Sequence, residues 1–163
     1  MRFSAAIITI SDKGSKGERE DKSGPAIKAI IEGSYTVKDM VIIPDDEDII
    51  SETIKRFIDL ERVDLVITTG GTGLSRRDVT PEATRAVIER ELPGFSEVMR
   101  SESYKITPHG IISRGICGTK GWSIVINLPG SPKAAIECFG FIKDAIPHAL
   151  SKLKGDATDC GTS

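Results

Sequence analysis

The run Thr68-Thr69-Gly70-Gly71-Thr72-Gly73, followed by Ser75-Arg76-Arg77-Asp78-Val79-Thr80-Pro81, combines the residue types of an anion site. Glycines admit a ligand close to the backbone because no Cβ intervenes. Successive N–H groups in such a loop form a concavity for anions. Arg76 and Arg77 carry the charge a phosphate attracts, whereas Asp78 carries the opposite one. A metal ion accounts for it, since Mg²⁺ is held by one or two carboxylates together with substrate phosphates. The segment reads as a nucleotide or phosphate site with a metal.

The elements around this loop alternate between strand-like and helix-like patterns, which specifies an α/β fold with a mainly parallel sheet. Apolar, β-branched runs predict strands over residues 3–11, 35–43, 64–69, 110–117 and 123–128. The last two are joined through Gly118-Thr119-Lys120-Gly121. Pro25 starts a helix running to Ile31. Ile49, Ile50, Thr53, Ile54, Phe57 and Ile58 recur at helical spacing after Pro44-Asp45-Asp46. Thr80-Pro81 reads as an N-cap and first helical residue, with the helix continuing to Arg90. Pro93-Gly94 breaks the chain before a shorter helix over 95–103. A long helix over 132–153 is expected to kink at Pro147.

Ligands of open α/β sheets bind beyond the carboxyl ends of the strands. Four polar or glycine-rich loops fall there: Ser11-Asp12 and the residues to Gly17, Pro44-Asp45-Asp46, the Gly70–Asp78 loop, and Asn127-Leu128-Pro129-Gly130-Ser131-Pro132-Lys133. The segment 11–24 is long for a connection, and long loops in compact domains are often functional. Each candidate has a plainer reading. Asp45 caps the following helix or binds metal or substrate, and composition leaves these even. Asp78 binds metal or closes an Asx turn. Ser11 and Asp12 on residue type alone suit a turn. No G-x-x-x-x-G-K-[ST] string occurs, and Arg76 stands where the last glycine of a G-x-G-x-x-G would be. His109 reads as a surface residue, and a Ser–His or Cys–His nucleophile is disfavoured.

With 163 residues the chain suits one domain, expected over residues 1–154 with a small, polar tail over 155–163. A net charge of −2, from 22 basic and 24 acidic side chains, argues against nucleic acid as partner. No apolar stretch approaches the length of a membrane span, and the N-terminal run lacks the features of a secretory signal. Cys117, Cys138 and Cys160 form no C-x-x-C or zinc spacing and read as reduced thiols of a cytoplasmic protein, Cys160 being exposed.

T-T-G-G-T-G, then R-R-D-V-T-P-E-A-T, then N-L-P-G-S-P-K-A resemble the MogA/MoaB family of molybdenum-cofactor biosynthesis proteins, to which the gephyrin N-terminal domain is related. Ser11-Asp12, the stretch Gly17 to Pro25 and Ile43-Pro44-Asp45-Asp46 match as well. The resemblance runs from the first strand to the last helix. It implies a three-layer α/β/α sandwich and a homotrimer, with contacts to other molybdenum-cofactor enzymes. It implies a molybdopterin adenylyltransferase that uses ATP and Mg²⁺, the alternative being a non-catalytic molybdopterin-binding or scaffolding protein. Asp45 and Asp78 match the family's catalytic aspartates and are expected at metal and phosphate. Gly70, Gly71, Thr72 and Gly73 would cradle phosphates. Ser11, Asp12, Asn127, Gly130 and Ser131 would line the pocket, and Ser113 and Arg114 match a position near the ligand.

Overall fold

The computed structural model describes residues 2–156. Strand β1 (Ser4–Ile10) is buried along its whole length and leads into a one-turn helix α1 (Asp12–Ser15). Helix α2 (Ser23–Ile31), strand β2 (Thr36–Ile43) and helix α3 (Glu47–Lys55) follow, the last continuing as a π-turn over Arg56–Leu60. Strand β3 (Leu65–Thr69) feeds the glycine loop and helix α4 (Thr80–Arg85). Next come strand β4 (Arg90–Glu91), helix α5 (Pro93–Ile106) and a 3₁₀ turn (Pro108–Ile112). Strands β5 (Cys117–Lys120) and β6 (Ser123–Leu128) precede helices α6 (Pro132–Ile142) and α7 (Ile146–Leu153).

The six strands lie in the order β2-β1-β3-β6-β5-β4. β2, β1, β3 and β6 are parallel, and β5 and β4 complete the edge antiparallel. Side chains alternate across a strand, so β1 serves two cores at once. Ala5 and Ile7 join Leu65, Ile67, Ile124 and Ile126 beneath α2, α6 and α7. Ala6 and Ile8 join Val66 and Val125 against Ile50, Ile54 and Phe57 on the other face. Helices on both faces of a mostly parallel sheet make the three layers expected.

This arrangement brings Ile10, Ile43, Thr69 and Leu128 to one sheet edge, where the register pairs Ile10 with Ile43 and Thr69 with Leu128. The four loops that follow them share that edge.

Several local expectations are corrected. Segment 11–24 is not all loop, because Ser11 caps α1 by accepting from Gly14 N–H at 3.0 Å. Val79, not Thr80, occupies the N-cap of α4, since the Thr80 hydroxyl donates to Gly70 O at 2.9 Å. That helix stops at Arg85, and Arg90–Glu91 pairs with β5 instead. Pro93 opens a 14-residue helix rather than breaking one, because a first-turn proline forfeits no intrahelical bond. Residues 110–112 are a 3₁₀ turn packed so tightly on α5 that a Cβ on Gly110 would lie 2.6 Å from Ser103 Cβ. Gly118 to Lys120 belong to β5, which leaves Gly121 at φ 55° in the tight turn to β6. The 132–153 helix is two helices, with Pro147 in the first turn of α7. Cys117 and Cys138 are buried free thiols, and burial pushes the Cys117 thiol up to about 11. Cys160 and the tail from residue 157 lie outside the described residues.

Candidate active site

Strand ends and the loops after them enclose a cavity of about 880 Å³ at the shared sheet edge, toward the upper end of the roughly 300–1,000 Å³ of small-molecule sites. Ser11, Asp12, Asp45, Gly70, Gly71, Asp78, Gly130 and Ser131 all line it.

Asp46, not Asp45, caps α3, accepting from Ile49 N–H at 3.0 Å. Asp45 is thereby released from capping. Its Oδ2 accepts from Asp12 N–H, and Asp12 Oδ1 accepts from Asp45 N–H, each at 3.0 Å. This reciprocal pair ties the β1 and β2 loops together. Asp12 also receives a fork from Arg77, with Nε at 3.0 Å and Nη2 at 2.9 Å. The Arg77 guanidinium holds the Asp12 carboxyl below its ordinary value. Burial raises that of Asp45, and the Asp12 and Asp78 charges push the same way. Arg77 therefore meets a carboxylate of its own chain, while Arg76 is exposed.

Asp78 accepts from Ser75 N–H at 2.9 Å while its own N–H donates to Ser75 O. The turn-closing role read as one alternative is present, and the carboxylate still faces the cavity. A Cβ on Gly73 would lie 2.8 Å from Asp78 Oδ2, and one on Gly71 would lie 3.2 Å from Asp45 Oδ1. The carboxylates of Asp45, in the loop after β2, and of Asp78, in the loop after β3, thus both abut the glycines of that second loop.

Gly70 and Gly71 answer first to the chain itself, with φ of 101° and 67°. A Cβ on Gly70 would fall 2.4 Å from Ile10 O, and one on Gly71 would fall 2.2 Å from Thr80 Oγ1. Gly71→Ala should therefore lose about 2 kcal/mol, from left-handed strain and the broken Thr80 bond. Urea unfolding checks this; an unchanged midpoint would show that the loop relaxes freely.

Thr72, Gly73, Ser113, Arg114 and Asn127 are not among the lining residues of this cavity. Arg114 staples the glycine loop from behind, with Nε to Gly73 O and Nη2 to Asp78 O, both 2.8 Å, and Nη1 on Glu82. That guanidinium depresses the Glu82 carboxyl. Arg114 N–H donates to Thr72 O. Asn127 is buried in β6, and it and Ser113 line a separate cavity of about 220 Å³ with Arg100, His109 and Cys138.

Sequence reasoning flagged the long segment 11–24 but gave no site role to residues 19–23, which form one wall of the cavity. Asp21 accepts from Ser23 N–H and Gly24 N–H at the start of α2 and from the Thr9 hydroxyl. Ser23 Oγ donates to Gly130 O at 2.6 Å, and Thr69 Oγ1 to Pro129 O at 2.7 Å. An aspartate shortly before Pro25 was a visible capping signal; the clasp onto the distant Gly130 loop was not.

Five carboxylates (Asp12, Glu20, Asp21, Asp45, Asp78) and three cations (Lys13, Arg19, Lys22) line the cavity. An acidic pocket takes phosphates only with a cation between. Among the described residues no three His, Cys, Asp or Glu side chains form a metal cluster. Asp45 and Asp78 fit a cation that draws its remaining ligands from substrate phosphates and water, as Mg²⁺ does.

Residues 6–148 match the model of a family described as "Probable molybdopterin binding domain". This chain belongs to that family. It is 40% identical over 154 residues to a molybdopterin adenylyltransferase of Helicobacter pylori, covering 92% of this chain and 87% of that protein. It is 41% identical to the molybdopterin adenylyltransferase of Escherichia coli K12, covering 91% and 84% respectively. It also matches the Drosophila melanogaster molybdenum cofactor synthesis protein cinnamon at 40% identity, spanning only 26% of that longer protein. The molybdopterin biosynthesis enzyme MoaB from Thermus thermophilus superposes with a TM-score of 0.90 at 42% identity, over 94% of this chain and 98% of that one.

Proposed function

We propose that this protein is a molybdopterin adenylyltransferase of molybdenum cofactor biosynthesis. The observation that carries the reading is the meeting of Asp45 and Asp78, from two different strand ends, at one glycine loop in the acidic cavity. The full-length bacterial relatives bear that activity in their names. A terminal phosphate oxygen of molybdopterin attacks the α-phosphorus of ATP. The new O–P bond forms as the bond from the α-phosphorus to the bridging oxygen breaks, and pyrophosphate leaves. A phosphate monoester is already largely ionised at neutral pH, so the site has no proton to remove from the nucleophile. Its task is to position and neutralise. Asp45 and Asp78 would hold Mg²⁺ together with phosphate oxygens, and the ion would supply that neutralisation. Lys13, Arg19 and Lys22 add positive charge along the wall. The Gly70–Gly71 turn and the Gly130–Ser131 loop bring backbone up to the ligand; Arg114 and the Arg77–Asp12 pair hold the glycine loop, and Ser23 holds Gly130.

The second reading, a molybdopterin-binding module, is favoured by one fact: both aspartates also have structural partners, Asp12 for Asp45 and Ser75 for Asp78. Asp78→Asn separates the two, because an amide oxygen can still accept from Ser75 N–H. The catalytic reading expects turnover to fall far more than molybdopterin affinity. Equal loss of both would support the binding module.

One domain over residues 1–154, a cytoplasmic location and a homotrimer belong to the same reading. Among the described residues no helix is long and apolar enough to cross a membrane. Tyr104, Ile106, Ile111 and Ile112 stand exposed at the end of α5 and on the 3₁₀ turn, 43–59% accessible, a surface suited to a second copy. Ile111→Glu is expected to convert a trimer to smaller species in light scattering. A monomeric wild type would dispose of the trimer.

A further inference from the structure

The most exposed member of the carboxylate network is also the one that closes it. Arg77 sits one residue before Asp78, in the turn that Asp78 closes on Ser75. Its guanidinium crosses to Asp12 in the β1 loop. Asp12 in turn exchanges two hydrogen bonds with Asp45 of the β2 loop. The chain Asp78–Arg77–Asp12–Asp45 thus links the two carboxylates through one fork and one reciprocal pair. The sequence assigned Arg77 to phosphate, yet its Nε and Nη2 are directed at Asp12 and it is not among the cavity's lining residues.

From this geometry we infer that Arg77 is a positioning residue, which through Asp12 sets the placement of Asp45 relative to Asp78 and does not itself hold substrate phosphate. The inference rests on the adenylyltransferase reading. An ion pair whose arginine side chain is 65% accessible contributes little to stability. Misplacing a reacting group by about 1 Å can cost on the order of 100-fold in rate. A clasp of this kind therefore affects turnover out of proportion to its effect on folding. A bidentate fork also has a fixed geometry that an ammonium group does not reproduce.

The test compares wild type, Arg77→Ala, Arg77→Lys, Asp12→Asn and the Arg77→Ala/Asp12→Asn double variant. Steady-state adenylylation gives kcat and the KM for ATP, calorimetry in EDTA gives metal-free ATP affinity, and thermal melting gives Tm. Arg77→Ala is expected to lower kcat about 10- to 100-fold with metal-free ATP affinity within about twofold of wild type and Tm nearly unchanged. Arg77→Lys should recover part of kcat. The double variant should be no slower than the slower single one, because both break one link. A matching tenfold loss of metal-free ATP affinity in Arg77→Ala, or multiplicative losses in the double variant, would overturn the inference and make Arg77 a phosphate ligand. An inactive wild type that still binds ATP would defeat the adenylyltransferase reading, while the EDTA titrations would still report whether Arg77 touches phosphate. A wild type that neither reacts nor binds ATP would remove both.

Discussion

Asp45→Asn is expected to abolish most turnover, by about 100- to 1,000-fold, the scale of losing one preorganised electrostatic group in an active site, while the free protein melts no lower than wild type. The two effects have one cause. Asp45 sits where burial, the Asp12 charge and the Asp78 charge all disfavour its ionised form. Its folded pKa is raised, so its contribution to stability is fully present below the unfolded value of 3.8. That contribution is lost as pH rises through the folded value. At neutral pH the ionised side chain therefore opposes folding, and a neutral amide relieves this. An asparagine oxygen can still accept from Asp12 N–H, so the loop pairing need not be lost. Melting curves at pH 7 and below pH 3.8 check the sign. The variant's advantage should appear at the higher pH and vanish at the lower. A Tm that falls at pH 7 would mean that the carboxylate supports the fold. Retained turnover would remove Asp45 from the mechanism.

The second large effect belongs to Asn127→Ala. Asn127 lies opposite Thr68 in the β3–β6 register and is 2% exposed. Its Nδ2 donates to the hydroxyls of Thr68 and Thr84, both at 2.9 Å, and its Oδ1 accepts from Ile116 N–H at 3.1 Å. One side chain therefore joins the central sheet, helix α4 and the segment entering β5. Truncation leaves a buried backbone donor without its acceptor and two hydroxyls without their donor. The expected loss is about 3 kcal/mol, or roughly 6–12 °C in Tm for a domain of this size. Asn127→Asp keeps the acceptor for Ile116 and loses both donors, so it should also destabilise. Wild-type Tm in Asn127→Ala combined with lost molybdopterin binding would instead make Asn127 a ligand contact.

The core strands were legible because they are buried on both faces. β1, β3 and β6 then read as continuous β-branched runs with no polar face to blur their limits. The loops at their ends were legible for the complementary reason: clusters of glycine, aspartate and serine interrupt the apolar runs of the strands. The same logic failed at residues 110–112, where Ile111 and Ile112 imitate a strand but stand exposed on a 3₁₀ turn. It failed at Pro93 because a proline that breaks a helix and one that starts it look alike until the next turn is seen. Side-chain destinations were the least legible. Arg77 finds Asp12 across 65 positions of sequence, and Ser23 finds Gly130 across 107. Local patterning contains no record of either distance. The glycine loop was read for what it offers a ligand, yet Gly70 and Gly71 are required equally by Ile10 O and Thr80.

The proposed reaction is adenylyl transfer to molybdopterin within this cavity. The most direct measurement is anaerobic incubation of the purified protein with molybdopterin, Mg²⁺ and ATP labelled at the α-phosphorus. The expected result is label in molybdopterin, one pyrophosphate released per label transferred, and no transfer in Asp78→Asn. Molybdopterin that binds to the protein and remains unlabelled, with no pyrophosphate formed, would contradict it.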